Sequence, residues 1–276
     1  ADACEKALGR PVVPVFWMAG EDHDIYEVNH LFLPGRDGME KRNFPAPKND
    51  RQMMSKTFLE KDKVRNFCLN FIADFGETEF TKSCIEIIDA ALEKTTTYTD
   101  FFHAISHSMF KHHGLLFVDS AHPDLRQIER PFFEKLLVAG KRISENLYRQ
   151  QSQVREYGYH TLIESASNNL HLFIERDGER ILLHHDLSND KIEGKGVTLT
   201  IEELVEIAAK SPQLLSNNVV TRPLMQEWLF PTIAFIAGPG EIRYWAELKQ
   251  VFELFGLKMP PIVPRLNITL LERAVE

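Results

Sequence analysis

Cysteine is scarce in this chain, with three in 276 residues, at positions 4, 68 and 84. They form no CxxC pair, which removes a zinc knuckle and a disulfide framework, and so few thiols suit a reducing cytoplasmic setting. Basic charge is also in deficit. Against 40 Asp and Glu there are 32 Lys and Arg, a net charge of -8, whereas a general nucleic-acid binder needs a basic surface for phosphate. No apolar run approaches the length of a membrane span, and the opening ADACEKALGR lacks the basic start and apolar core of a secretion signal. Repeats and low-complexity segments are missing as well. What is present is 43% hydrophobic and 26% charged residues, the balance of a globular chain, long enough for one large domain or for a core carrying insertions.

The pattern along the chain alternates between strand-helix units and other material. ADACEKAL reads as the last turns of a helix, and NITLLERAVE at the other end as a helix beginning. Pro11 to Trp17 is β-rich without alternation, which predicts a strand buried on both faces. Pro34 to Pro47 is rich in Gly, Pro and charge and predicts a loop. Helical spacing follows in Val64, Phe67, Cys68, Phe71, Ile72 and Phe75, then in Phe80, Cys84, Ile87, Ile88 and Ala91, then from Thr99 to Gly114. Cys68 and Cys84 thus read as small core residues. Leu115 to Val118 predicts a second buried strand, followed by a helix through Leu125, Ile128, Phe132 and Leu136 and a separate polar helix from Arg142 to Tyr157. Asp177-Gly178 between two alternating runs predicts a hairpin. Thr200 with Glu203 predicts a capping box, and Thr221 a cap for a short helix. Pro231 to Ala237 predicts a third buried strand, Gly238-Pro239-Gly240 a tight turn, Ile242 to Phe255 one helix ending at Gly256, and Ile262-Val263 a fourth strand.

The fold class implied is α/β, with a parallel sheet core interrupted by helical and hairpin connective segments. The expected partition is a first part of the core at 1–33, a helical insertion at 34–114, a core strand-helix unit at 115–140, a connective insertion with hairpin at 141–215, and the last part of the core at 216–276.

In open parallel sheets, ligands bind beyond the carboxyl ends of the strands. AGEDHD follows the first strand and groups Glu21, Asp22, His23 and Asp24. Asp24 with Glu27 fits a capping box, and Glu21 and Asp22 suit a helix N-terminus. Neither reading accounts for His23, and a carboxylate-imidazole pair can orient an amine, take its proton or bind a metal. Asn29 and His30 can add to that surface. GPGE follows the third strand, where Gly238 and Gly240 free backbone N–H groups for an anion and Glu241 suits an ammonium or hydroxyl groups. Arg265 follows the fourth strand. In SNNVVTRPLMQE, Arg222 opposes the helix dipole, which hints at a bound anion, while Asn217, Asn218, Thr221 and Gln226 offer polar contacts. Tyr244 completes this set. Asp119, Ser120 and His122 make a weaker group. If the strands are parallel neighbours, these ends meet at one mouth. His103 and His107 have zinc-ligand spacing but read as surface histidines, and MMSK, at Met53 to Lys56, reads as a chance likeness to a synthetase loop.

VPVFWMAGEDHDIYEVNH, SNNVVTRPLMQEWLFPTIAFIAGPGEIRYWAELK and FGLKMPPIVPRLNITLLER together resemble the bacillithiol biosynthesis cysteine-adding enzyme family. The resemblance implies a Rossmann-like nucleotide-binding core similar to class I aminoacyl-tRNA synthetases. It also implies a further N-terminal strand with a glycine-rich loop and a C-terminal coiled coil that supports a homodimer, both expected outside this chain. The implied reaction is a ligation that adds L-cysteine to glucosaminyl-malate, with ATP as energy source and magnesium accompanying the nucleotide only. No separate metal site, nucleic acid or membrane is implied. In that reading His23, with Asp22 and Asp24, is catalytic and His23 is the candidate general base. Glu21, Asn29, Asn217, Asn218, Thr221, Arg222, Gln226, Gly238, Gly240, Glu241, Tyr244 and Arg265 hold substrates or nucleotide. Two other readings stand beside it: a metal-dependent hydrolase using Asp22, His23, Asp24 and His30, and a noncatalytic small-molecule scaffold.

Overall fold

The computed structural model describes residues 1–35, 38–186 and 188–269. The expected helix start at NITLLERAVE therefore falls largely outside the described residues. The chain is mixed α/β with parallel strand pairs, and it divides into two compact units. The first is Ala1–Gln127 with Glu175–Arg180, and the second is Ile128–Ile174 with the described residues of Ile181–Glu276.

The first unit opens with α1 (Asp2–Leu8), which buries no residue and ends at Gly9 in the left-handed region. Next come β1 (Val15–Met18), the four-residue α2 (Ile25–Val28), β2 (His30–Gly35) and β3 (Gly38–Asn43). Helices α3 (Lys61–Phe75), α4 (Thr81–Lys94) and α5 (Tyr98–Phe110) follow, then β4 (Leu116–Asp119). The three helices form where the apolar spacing predicts them. Phe44, Leu59, Val64 and Leu92 make a small core, with Phe67, Cys68, Ile88, Tyr98 and Phe101 packed against it. Burying an aliphatic side chain of this size stabilises by about 1.5–3 kcal/mol. Cys68 joins this cluster, and burial pushes its thiol pKa up. Cys84, also expected in the core, is exposed near the start of α4.

β1 pairs in parallel with β4, Val15 opposite Leu116 through Met18 opposite Asp119. The expectation of strands buried on both faces fails here: Phe16 is 43% and Leu116 55% exposed. In this two-stranded sheet each strand has one neighbour, and the covering is partial. The predicted loop at Pro34 to Pro47 is in fact mostly hairpin, since β2 and β3 pair antiparallel from His30–Asn43 to Gly35–Gly38. Every residue of β3 is exposed, so no apolar alternation announces the strand.

In the second unit, α6 (Pro123–Glu156, begun in the first) is one helix of 34 residues, not the two expected. Its Gly140 explains the misreading, since glycine inside a helix usually weakens it. Here a Cβ would meet Leu170 Cδ2 at 2.8 Å, so the glycine lets helix and strand approach. β5 (Asn169–Arg176), β6 (Glu179–Asp186), β7 (Lys191–Gly194) and β8 (Val197–Leu199) precede α7 (Ile201–Lys210), β9 (Leu215–Asn217) and α8 (Thr221–Leu229). The five strands form one sheet in the order β8-β7-β6-β5-β9. Asp177 and Gly178 turn the predicted hairpin with φ of 53° and 76°, as a turn with two positive φ values requires. The Thr200–Glu203 capping box forms on α7.

β10 (Phe235–Ala237), α9 (Pro239–Trp245), α10 (Lys249–Leu254) and β11 (Ile262–Pro264) complete the described chain. β10 is shorter than predicted and Ile236 is 60% exposed, since its pair with β11 is also only two strands. The helix expected over Ile242 to Phe255 breaks at Glu247. That carboxylate is fully buried and accepts from Leu162 N (2.6 Å), Ile163 N (3.2 Å) and Gln151 Nε2 (2.8 Å). Its inward turn bends the chain between α9 and α10. The core of this unit centres on Phe132, Leu136, Ile143, Leu172, Leu183, Leu204, Trp245 and Phe252.

Candidate functional site

In the first unit the parallel pairing sets the carboxyl ends of β1 and β4 side by side. Gly20 follows β1 and Asp119 closes β4. A Cβ on Gly20 would lie 2.0 Å from Ser55 Oγ and 2.2 Å from Asp119 Oδ1, so only glycine fits there. Ser55 Oγ donates to the Asp119 carboxylate, at 2.8 and 3.0 Å from its two oxygens. Its backbone N–H donates to Gly20 O at 2.9 Å, and Met54 N donates to Asp22 O at 2.9 Å. The MMSK segment, set aside as a chance likeness, is therefore one wall of the turn.

The four members of EDHD have separate fates. Glu21 is fully buried and ion-paired with Arg126, itself 1% exposed, and its N–H donates to Ser120 Oγ at 3.2 Å. It fixes the turn from inside, so the expected surface contact for a ligand is not what its side chain makes. Asp22 pairs with Arg180 Nη1 at 3.2 Å, and the same nitrogen lies 3.4 Å from His23 Nδ1. Arg180 is held in turn by its N–H donating to Arg51 O at 3.1 Å. His23 is half-buried and Asp24 exposed. Asp24 occupies the position before α2 but makes no side-chain cap, because that helix is a single turn with its first N–H groups bonded to backbone. Asn29 is committed as well: its Nδ2 donates to Phe44 O at 2.8 Å, anchoring the β2–β3 hairpin. His30 packs edge-on against Phe32.

Arg180, Arg126 and Ser55 were not visible as site residues, because each is far from the turn in sequence. Ser120 and Asp119, a weaker expectation, are part of it. His103 and His107 are exposed, with ring centroids 5.8 Å apart. Among the described residues no three His, Cys, Asp or Glu side chains gather as a metal ligand set.

In the second unit, β10 and β11 place Ala237 opposite Pro264, and Arg265 N donates to Ala237 O at 2.8 Å. GPGE and Arg265 are thereby brought together. A Cβ on Gly238 would lie 2.6 Å from Arg265 Nη2. Glu241 Oε2 accepts from Gly238 N at 2.7 Å, so that N–H is already satisfied, whereas a Cβ on Gly240 would meet open space. Tyr244 packs against the core. Gln226 is half-buried, and its carbonyl accepts from Phe230 N.

The Asn217–Arg222 stretch surrounds a residue that no motif announced, His171. It is fully buried with φ of 59°. Asn218 Oδ1 accepts from Val220 N at 2.8 Å and Thr221 N at 3.2 Å, so Asn218, not Thr221, serves the start of α8. Thr221 Oγ1 instead donates to His171 O at 2.7 Å. With its oxygen so used, Asn218 turns Nδ2 toward His171 Nδ1 at 3.3 Å, and the other ring nitrogen meets Ser144 Oγ at 2.9 Å. Ser144 Oγ donates to Asn169 O at 3.1 Å. Burial, then the charge of His184, lowers the His171 pKa to about 4, so the ring is neutral near pH 7. Its Nδ1 accepts and its Nε2–H donates, which leaves Ser144 without a base. Asn217 is fully buried, while Arg222 is half-buried with its N–H on Asn218 O at 3.0 Å.

The family model described as bacillithiol biosynthesis BshC, N-terminal Rossmann-like domain, matches residues 1–266. The proteins named "Putative cysteine ligase BshC" of Bacillus thuringiensis (strain Al Hakam) and Bacillus cereus (strain G9842) are each 45% identical to this chain over 273 residues, 98% of its length. The chain spans 50% of each of these relatives.

Proposed function

The chain belongs to the bacillithiol biosynthesis BshC family, over the span of its N-terminal Rossmann-like domain, and on that premise we propose that it carries the catalytic core of a ligase joining L-cysteine to glucosaminyl-malate. The observation that supports the reading most is the EDHD turn. It follows a parallel strand, where α/β folds bind their ligands, and it is held by partners on four other segments. Such fixing suits a site that positions two polar substrates.

Amide formation needs an activated carboxylate and an amine. In this reading ATP supplies the activation of the cysteine carboxylate, with magnesium accompanying it. Gly240, Arg265 and Arg222 are the residues of the second unit suited to its phosphates, while the Gly238 N–H is already used by Glu241. Asp22, His23 and Asp24 are assigned to the ammonium or hydroxyl groups of the amino sugar, with His23 as the candidate general base. Kinship with class I aminoacyl-tRNA synthetase cores, a dimerising coiled coil in the full-length protein and a cytoplasmic location belong to the same proposal. Among the described residues no helix is long and apolar enough to cross a membrane.

The test is turnover by the full-length protein with cysteine, glucosaminyl-malate and ATP. Loss of turnover in His23→Ala and Asp24→Ala supports the assignment. Unchanged turnover in both would remove EDHD from the chemistry.

A further inference from the structure

We infer that Arg180 is a positioning residue that fixes the tautomer of His23, so that His23 serves as a neutral hydrogen-bond donor through Nε2 rather than as a general base. The inference rests on the site reading above and changes the role it gives to His23. Arg180 comes from the tip of the β5–β6 hairpin, far from EDHD in sequence. It is buried, as an arginine almost never is unless paired, and its Nη1 is shared between Asp22 Oδ1 at 3.2 Å and His23 Nδ1 at 3.4 Å.

A guanidinium has donors only and does not lose its proton in a protein. The nitrogen it faces must therefore carry a lone pair. In a neutral imidazole the other nitrogen, Nε2, then carries the hydrogen. The lone pair that a general base would use at Nδ1 is occupied by Arg180. At Nε2 the ring offers a hydrogen, which suits an electron-rich oxygen such as that of a carboxylate or phosphoryl group under attack. Asp22 completes the clamp by accepting from the same Nη1 and balancing its charge. The hairpin tip is itself fastened, by Asn49 Nδ2 on Gly178 O at 3.2 Å and by the Lys56–Glu175 ion pair, so the guanidinium is not free to swing away.

The experiment has two readouts on the full-length protein. Nitrogen-15 correlation spectra of the histidine rings report the His23 tautomer without any need for turnover. The wild type should show His23 protonated at Nε2 only. Arg180→Met, which keeps the length of the chain but no donor, should show a mixture of tautomers. Arg180→Lys, which restores a donor, should return the spectrum toward wild type. In the turnover assay Arg180→Met should lower kcat by roughly 10–100-fold, by analogy with the loss of a hydrogen-bond partner that orients a metal-ligating histidine, with KM changing less. Arg180→Lys should recover part of kcat.

A wild-type His23 protonated at Nδ1, in either the neutral or the charged ring, overturns the inference, and that spectrum needs no variant to fold. So does an Arg180→Met protein that folds with the wild-type tautomer and wild-type kcat. A wild type with the expected tautomer but no ligase turnover leaves the positioning role standing and defeats the proposed function instead.

Discussion

The two compact units solve the same problem with opposite chemistry. Each must hold a polar turn at the end of a strand, the first after β1 of the parallel pair β1–β4 and the second after β9, which pairs antiparallel with β5. The first does so with ionised side chains: Glu21 on Arg126, Asp22 on Arg180, and Asp119 receiving Ser55. The second uses neutral groups and backbone around its polar turn: His171, Asn218, Ser144 and Thr221. Buried charge is costly unless paired, so the first unit is vulnerable to loss of one partner. A neutral buried histidine is costly to protonate, so the second is vulnerable to acid.

The sharpest way to break this contrast is Arg126→Met. It strands the Glu21 carboxylate in a site with no exposure, and chemical denaturation should show a loss of about 3–5 kcal/mol. The double change Arg126→Met with Glu21→Leu should recover most of it, because neither half of that pair is then left buried as a charge without the other. Next comes acid. The His171 pKa in the folded chain, about 4, lies below its ordinary 6.5, so the unfolded chain binds the proton first. Stability from this group is fully present above pH 6.5 and is lost as pH falls through the window down to 4, by about 3 kcal/mol in all. His171→Asn, a residue that tolerates positive φ, should flatten that slope in a pH series of unfolding curves.

Gly20→Ala is expected to cost about 1–3 kcal/mol by overpacking, because Ser55 and Asp119 already fill the space of its Cβ. Turnover should fall with it, since the turn must move. The smallest effects should come from the caps, where the units agree. Thr97 accepts from Asp100 N and Thr200 accepts from Glu203 N, both at 3.2 Å. Thr97→Ala and Thr200→Ala should each cost about 1 kcal/mol, measured by thermal unfolding. A much larger loss in one would mean that its helix start is tied to that unit's polar turn.

What could be read in advance follows from the range of each interaction. The Thr200 box and the Asp177-Gly178 turn are contained within four residues, so their chemistry stands complete in the sequence. The Thr97 box escaped notice because its acid is Asp100 instead of the usual Glu or Gln. Helices α3 to α5 were legible because a buried stripe repeats at helical spacing. The β2–β3 hairpin was not, because its second strand is exposed throughout and carries no pattern. At the site, EDHD stood out as a cluster of charge, but its meaning lay with partners. Arg126 is 105 residues from Glu21, and Arg180 is 157 from His23. Nothing in the spelling of either arginine distinguishes it from one on the surface.

The amino-acid sequence by itself determined the alternation of strands and helices, the local turns and caps, the family, and the position of the EDHD turn after a strand. These depend on neighbours within a turn of helix or a hairpin, and on side-chain periodicity. Only the tertiary structure decided what each charged residue in that turn does: Glu21 locked inside, Asp22 and His23 bound to one guanidinium, Asp24 left at the surface. Ionised groups are directed by whichever opposite charge or donor reaches them in three dimensions. That choice is made by long-range packing, which brings a hairpin tip and a helix start to the end of β1.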